Sequence, residues 1–253
     1  MSVEQQRLTA VRRYEILDTP PDGAFERVAT VAARVFDVPM ATVTIVDEDR
    51  IWFKAARGLP DGVAQIDRAL GLCASAILQD KPYVLPDTLR DSLAMENSLV
   101  RGQLGIRFYA GAPITTDDGH HLGTVNVLDT RPREVTAEQT AILASLADVV
   151  MEQLELGLAA LRAIRNQEDN LQAALASRTD TNRAVGMIML ARHCDADAAW
   201  DVLREQSQHA NVRVRTIAET MGHIAAGADT TKLDRSTHHA ALRALLPVHD
   251  HTA

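Results

Sequence analysis

The sequence is short of several things, and each shortage excludes a class. Only two cysteines occur in 253 residues, Cys73 and Cys194, far apart in the chain. A disulfide framework is thereby excluded, and a reducing cytoplasm is the expected home. No apolar run approaches the roughly 18–20 residues of a membrane-spanning helix. The N-terminal MSVEQQRLTAVRRYEIL is mixed polar and holds no signal segment. Aromatic residues make up only 4%, and Gly (13) and Pro (9) are too few for a fibrous or low-complexity chain. Lysine is almost missing: Lys54, Lys81 and Lys232 stand among 26 basic residues, and the rest are arginine. Basic contacts are therefore planar, forked donors suited to phosphate and base edges. A net charge of −8 excludes a uniformly basic coat, so any nucleic-acid surface must be local.

What is present is a folded chain, 46% apolar and 24% charged, with room for two small domains. Residues 1–21 read as a short amphipathic helix stopped by Thr19-Pro20-Pro21. A second helix, Ala24–Phe36, carries Phe25, Val28, Val31, Ala32 and Val35 at three- and four-residue spacing. The period then changes. Met40–Asp47 and Arg50–Ala56 are β-branched or aromatic runs joined by the acidic Glu48-Asp49 turn, a hairpin pattern. RALGLCASAILQ reads as one short helix and KPYVLPD as a strand. Two more strands lie in LVRGQLGIRFYAGAPIT and GHHLGTVNVLD. Helices flanking a mostly antiparallel sheet define an α+β domain over residues 22–135.

At Thr136 a capping box, Thr136-Ala-Glu-Gln139, opens a long helix. Its apolar positions are Leu143, Leu146, Val150, Leu154, Leu158, Leu161, Ile164, Leu171 and Leu175. A helix of that length outruns a domain of about 110 residues, roughly 35 Å across. The spacing therefore predicts packing on the α+β domain at first, then a parallel dimeric coiled coil over 136–170, loosened where Glu168 falls on the seam.

Residues 171–226 read as a three-helix bundle. The long helix continues to Arg192, a second helix starts at the N-cap Asp195, and a third runs from Val212 to Ala225 after a break at Asn211. Val185, Ile188, Met189, Ala198, Ala199, Val202, Leu203, Val214, Ile217, Met221 and Ile224 supply its core. Between Arg178 and Glu219 six arginines balance six acids. Half the acids gather at the start of the second helix, where they suit its dipole. Arg178, Arg183, Arg213 and Arg215 near helix ends leave one face electropositive. Residues 227–253 read as an irregular tail with one short helix near Ala240–Leu246.

In the first domain, ILDTPPD (Ile16–Asp22), FDVP, VDEDRIWFK, Gly58-Leu59, LCASAI (Leu72–Ile77), PDT, NSLV, IRFYAGAP (Ile106–Pro113), Leu122-Gly123-Thr124 and VLD occur in order. As a set they resemble a GAF domain of the bacterial signalling type, over about residues 15–155. The resemblance implies a sensory or dimerising domain with a pocket between sheet and helices, and no particular ligand. Some GAF-like domains reduce methionine sulfoxide with several cysteines; Cys73 stands alone, so that chemistry lacks a resolving thiol. Cys73 is either a sensing thiol or a small buried hydrophobe among Leu72, Ala74 and Ala76. Arg107, Tyr109 and Asp129, on the predicted central strands, join Cys73 as the pocket residues, against the alternative of structural hydrogen bonding. The acidic turn Asp47–Asp49 and the pair His120-His121 have no further ligands near in sequence. No metal, no cofactor and no catalytic group is expected.

In the helical module, Ala174-Leu-x-x-Arg178, Arg183-Ala184-x-Gly186-x-x-Met189, Ala198-Ala199-Trp200-x-x-Leu203-Arg204, Ser207, Asn211 and Ile217-Ala218 resemble an ANTAR domain over about residues 170–226. That family comprises three-helix RNA-binding modules of transcription antiterminators, often joined to a sensory domain by a coiled coil. The chain departs from the pattern at Val185, where a lysine commonly precedes the glycine. The resemblance makes Arg178, Arg183, Gly186, Trp200, Arg204, Asn211, Arg213 and Arg215 the RNA-binding set. Trp200 is either a base-stacking platform or the core aromatic of the helix junction. Arg204 either contacts RNA or pairs with Asp201 and Glu205. Gly186, costing about 1 kcal/mol in a helix interior, predicts close approach of a helix or a ligand. The expectation is a dimeric, signal-responsive antitermination regulator of hairpins in mRNA leaders, with a small-molecule ligand on the sensory domain and no membrane. A DNA-binding helix-turn-helix, using Ile217–Met221, and a dimeric protein-interaction module are the alternatives.

Overall fold

The computed structural model describes residues 1–60, 62–102, 104–228 and 234–246. The chain divides into two compact units, Met1–Arg162 and Ala163–Ala253. The first is built on six antiparallel strands: β1 (Met40–Val46), β2 (Arg50–Arg57), β3 (Gln65–Asp67), β4 (Tyr83–Leu85), β5 (Phe108–Thr115) and β6 (His121–Asp129). Their order across the sheet is β3-β2-β1-β6-β5-β4. The acidic turn closes the β1–β2 hairpin, with the Asp47 amide donating to the Arg50 carbonyl at 2.8 Å. The short edge strand β3 is new relative to the sequence reading; Gln-Ile-Asp carries too little apolar alternation to announce itself.

Side chains alternate across the strands and face two different cores. One face carries Val43, Ile45, Phe108, Ala110, Ala112, Val125 and Val127. They pack with helices α1 (Val3–Arg13) and α2 (Ala24–Val35), and with Leu143, Ala147, Val150, Met151, Leu154 and Leu158 of the long helix. The other face carries Met40, Val46, Ile51, Tyr109 and Leu128 against Leu72, Cys73, Ala76, Ile77 and Ile106. The sheet is covered on both sides, so β1 is buried at all seven positions. Gly123 is required where β6 crosses β1: a Cβ there would lie 1.8 Å from the Thr44 carbonyl oxygen.

Two sequence expectations are corrected in this unit. The helix drawn over RALGLCASAILQ is a 3-10 turn, Arg68–Leu70, and a separate four-residue α3, Cys73–Ala76. Gly71 separates them because the chain there runs against Ile51, whose Cδ1 would lie 2.0 Å from an added Cβ. α1 ends at Arg13, and Glu15 and Asp18 take left-handed backbone. The segment is then fixed by charge. Asp18 holds Arg50 through two contacts of 2.9 and 2.7 Å. Buried Lys54 donates to Thr19 Oγ1 at 2.9 Å and the Pro20 carbonyl at 2.7 Å, under the rings of Phe25 and Trp52. Much of the ILDTPPD and VDEDRIWFK signature is thus a clasp tying the N-terminal segment to β2. A further short helix, α4 (Ser98–Arg101), lies before β5.

The long helix α5 is continuous from Ala137 to Arg192, 56 residues. Its capping box forms, with Thr136 Oγ1 and Gln139 Oε1 each accepting a backbone amide at 3.1 Å. Between Leu158 and Ala184 its large apolar residues are exposed, Leu171 at 61% and Leu175 at 57%. The second unit adds α6 (Ala196–Ala210), α7 (Val214–Ala225) and α8 (Arg235–Leu245). Asp195 caps α6, accepting from the Ala198 amide at 2.9 Å. Asn211 ends it in left-handed backbone, φ 53°. Ala184, Ile188, Ala199, Leu203, Ile217, Ala218 and Met221 form the core.

α8 enlarges the expected three-helix bundle. Ala240, Ala241 and Ala244 are buried in the same core, and Arg192 donates to the carbonyls of Ala244 (2.9 Å) and Arg243 (2.6 Å) at its C-terminal end. The sequence places one short helix near Ala240–Leu246; α8 starts earlier, at Arg235, and its packing on the bundle is not legible because the packed face is alanine. The rest of that tail, 229–233 and 247–253, lies outside the described residues.

Candidate functional site

Two concave features, one in each unit, carry part of the residues singled out from the sequence. In the first, a cavity of about 70 Å³ opens between the sheet and the α3 side. Cys73 and Tyr109 line it, with Thr42, Asn126, Leu72 and Ile106 among their neighbours. A polar network crosses the sheet beneath it. The Tyr109 hydroxyl donates to Asn126 Oδ1 at 2.8 Å. Asn126 Nδ2 in turn donates to Thr42 Oγ1 (2.9 Å), Thr44 Oγ1 (3.2 Å) and the Thr124 carbonyl (3.3 Å). Burial pushes the Tyr109 phenol well above its ordinary range, and the Cys73 thiol beside it adds to the rise. At about 70 Å³ the cavity is far below the roughly 300–1,000 Å³ of ordinary small-molecule sites.

Arg107 and Asp129, expected in this pocket, lie outside its lining. Arg107 grips Asp87 through Nε and Nη2, both at 2.9 Å, which holds the Asp87 carboxyl below its usual range. Asp129 accepts from Arg133 Nε at 2.5 Å. Both residues sit at strand ends, where a charge reaches a partner on the flanking loops and avoids an apolar cavity that would strand it. Asn126 went unnoticed in the sequence. Its signal was available: a lone amide inside the apolar run TVNVL must find partners in the sheet.

The two histidines diverge. His121 Nδ1 donates to the Ile77 carbonyl at 2.6 Å, whereas His120 Nε2 lies 3.9 Å from Asp118. Among the described residues no group of three or more His, Cys, Asp or Glu stands where it could hold a metal ion. The acidic turn is tied into the N-terminal helix: Arg68 donates to the Asp47 and Glu48 carbonyls and to Glu4.

The second feature is a groove of about 530 Å³ on the helical unit. Asn170, Ala173, Ala174, Ser177, Arg178, Thr181 and Asn182 of α5 form one wall; Trp200 of α6 and Arg215 of α7 complete it. Trp200 is 42% exposed, so it is not the core aromatic of the junction. Arg178 and Arg215 are exposed and, among the described residues, hydrogen-bond to no protein group. The groove thus offers one indole face, two free guanidinium groups and a row of amide and hydroxyl side chains.

The other residues of the expected RNA-binding set stand apart from that lining. Arg183 is bound to Asp180 at 3.2 Å, and Arg204 to Asp201, both within one helix turn. Arg213 is the N-cap of α7, and Asn211 the C-cap of α6. Arg178 and Arg183 lie inside α5 rather than at a helix end. Gly186 is exposed, and a Cβ added there meets nothing within 4 Å, so no close helix approach explains it. The polar wall at 170, 177, 181 and 182 is not legible in the sequence, because polar residues on a long helix are indistinguishable there from an ordinary solvated face.

The chain thus carries an α+β unit and a helical unit, each with its own concave feature. The chain belongs to the GAF family: the GAF domain model matches residues 20–154, and the ANTAR domain model follows at 169–221. That pairing is the architecture of a signal-sensing regulator. Over 152 residues, 60% of this chain, it is 36% identical to a Pseudomonas aeruginosa protein named cyclic di-GMP phosphodiesterase PA2567, of which it spans 26%. Solved structures with the sensory fold include the GAF domain of an Acinetobacter phosphoenolpyruvate-protein phosphotransferase. It is 18% identical, covering 66% of this chain and 99% of that one, with a TM-score of 0.45. Free methionine-R-sulfoxide reductase from Neisseria meningitidis is 18% identical over 62% of this chain and 90% of that one, TM-score 0.46. Both likenesses concern the fold alone. Among the described residues no helix is long and apolar enough to cross a membrane.

Proposed function

We propose that the chain is a cytoplasmic, dimeric transcription antitermination regulator that binds RNA hairpins in mRNA leaders and performs no chemistry of its own. The observation that carries this reading is the groove in which Arg178, Trp200 and Arg215 converge within the ANTAR segment. RNA loops present splayed bases that stack on aromatic and guanidinium planes, while free cations meet the phosphates. The exposed apolar residues of α5 support a parallel homodimer, since a helix this long without a partner leaves leucines in water. The cavity behind Tyr109 is the ligand-sensing part of the GAF domain. Its occupation shifts the population of dimer arrangements that present the two RNA-binding grooves.

The name of the Pseudomonas relative raises cyclic di-GMP as a second signal. The cavity opposes it: among its described lining residues stands no arginine or lysine to meet two phosphates. Filter retention of a paired-hairpin RNA on the full chain tests the main reading. Retention should weaken steeply as salt rises and exceed that of a duplex DNA of equal length. Equal retention of DNA favours a helix-turn-helix reader, and no retention of either nucleic acid leaves a protein-interaction module.

A further inference from the structure

The cavity between the sheet and α3 turns no polar group toward its interior. Thr42, Tyr109 and Asn126 stand in its wall, yet the surface it exposes is apolar throughout. The hydrogen bonds account for this. The Tyr109 hydroxyl is spent on Asn126 Oδ1, and the Asn126 amide on the hydroxyls of Thr42 and Thr44. Those polar atoms are drawn into the sheet network and leave carbon at the wall. Leu72, Ile106 and Leu128 complete the inner side, and none of the described lining residues is charged. The side toward solvent is apolar as well. Leu59, Leu99 and Leu104 are half-buried there, and Pro60 and Val63 are exposed.

Such a space suits neither water nor an ion. An ordered buried water needs about three polar partners, and the wall offers none. A charged group would lose its hydration with nothing to replace it. Left empty, the cavity deprives every atom around it of dispersion contacts. An occupant with carbon on all sides restores those contacts and strands no polar atom.

We propose that this cavity is a binding site for a small nonpolar molecule, of the class of short hydrocarbons, with no hydrogen-bonding group. The inference rests on the reading of this unit as a sensory domain and names its ligand class. Size sets the upper bound. About 70 Å³ is near half of the ~150 Å³ apolar cavity that stays dry and admits benzene, which leaves room for on the order of three or four carbons. Binding is by shape and dispersion alone, so a single hydroxyl on a molecule of the same size is a penalty.

Saturation-transfer NMR on the full chain tests the proposal, with dissolved cyclopropane and ethanol as probes of similar size. Cyclopropane should receive transfer, and ethanol at equal concentration about tenfold less, because its hydroxyl finds no partner. Methyl shifts caused by cyclopropane should be confined to cavity residues such as Leu72, Leu104 and Ile106, and spare the exposed Leu171 and Leu175. Leu72→Phe takes up the space and should remove the transfer; if that variant does not fold, Leu104→Phe narrows the same cavity. No transfer to cyclopropane, equal transfer to ethanol, or cyclopropane binding that survives filling overturns the ligand class. If cyclopropane fails to bind yet the filled variant alters RNA retention, the ligand class falls and the sensory reading stands. If cyclopropane binds and RNA retention is the same with and without it, the site stands and the sensory reading falls.

Discussion

The Tyr109 hydroxyl reaches Asn126 Oδ1, 2.8 Å away, across the strand position held by Gly111. A Cβ on Gly111 would lie 2.3 Å from the hydroxyl oxygen and 2.7 Å from Asn126 Oδ1. Both partners are fully buried and cannot swing aside. Gly111→Ala should therefore destabilise the first unit by about 1–3 kcal/mol, the usual cost of overpacking. Adding Tyr109→Phe removes the closest clash, so the double variant should recover part of the loss in thermal melts. Strict additivity of the two substitutions would show that the glycine is not there to make room for this bond.

Acid should loosen the same unit at the α1 clasp. The Arg7 hydrogen bonds, with Arg68 adding to them, bring Glu4 from 4.5 down to about 2. A depressed carboxylate stabilises the fold above its unfolded pKa, and that contribution is lost as pH falls from about 4.5 through about 2. Glu4 is 41% exposed, so solvent screening leaves on the order of 1 kcal/mol or less. Glu4→Gln should lower stability at pH 7 and flatten that part of the acid limb in urea titrations. An acid limb identical to wild type would assign the loss elsewhere.

The four long strands, the capping box at Thr136 and the start of α6 at Asp195 were legible because each rests on a local rule: alternation, reciprocal capping, side-chain capping. The pocket was half legible. A strand pattern says that residues 107, 109 and 129 belong to central strands, but not which lie at the strand's middle. Tyr109 faces the cavity from inside β5, whereas Arg107 and Asp129 stand at the ends and bind loop charges. The groove on the helical unit depends on which faces of three helices meet, and helix periodicity alone leaves that rotation open. The packing of α8 was hidden for a plainer reason, although a short helix near Ala240–Leu246 was expected: its buried face is Thr237, Ala240, Ala241 and Ala244, which carries little hydrophobic signal.

That alanine face leads to an expectation about the output module. α8 lies beyond the residues matched as ANTAR, yet it shares the core of Leu203, Ile217 and Met221 and is held by Arg192. Ending the chain at residue 228 should uncover part of that core. The helical unit should then melt several degrees lower, a loss of about 1–3 kcal/mol. An unchanged melt would reduce α8 to an ornament on a self-sufficient three-helix bundle.

The exposed stripe of α5 makes a separate demand. Leu171 and Leu175 lie one turn apart and stand in water in the single chain. If a second copy covers them, replacing both with glutamate places charge in the seam and should convert a dimer into monomers by sedimentation equilibrium. Melting of the sheet core should not change, because those side chains do not belong to it. A wild-type chain that sediments as a monomer at all concentrations removes the dimer from the mechanism.

The arginines of the helical unit should separate into two groups by function. Arg178 and Arg215 line the groove with free guanidinium groups, while Arg183 and Arg204 are engaged by Asp180 and Asp201. Arg178→Ala with Arg215→Ala should weaken hairpin-RNA retention by tenfold or more, about 1.4 kcal/mol per decade. The same pair should also reduce the slope of log affinity against log salt by about one to two contacts' worth. Trp200→Ala should weaken binding by about 1–3 kcal/mol without changing that slope, since stacking releases no counterions. Arg204→Ala removes an exposed intrahelical pair and should leave retention within about twofold. The reverse ranking, with Arg204 dominant and Arg178 silent, would move the RNA away from the α5 wall and one turn along α6 from Trp200.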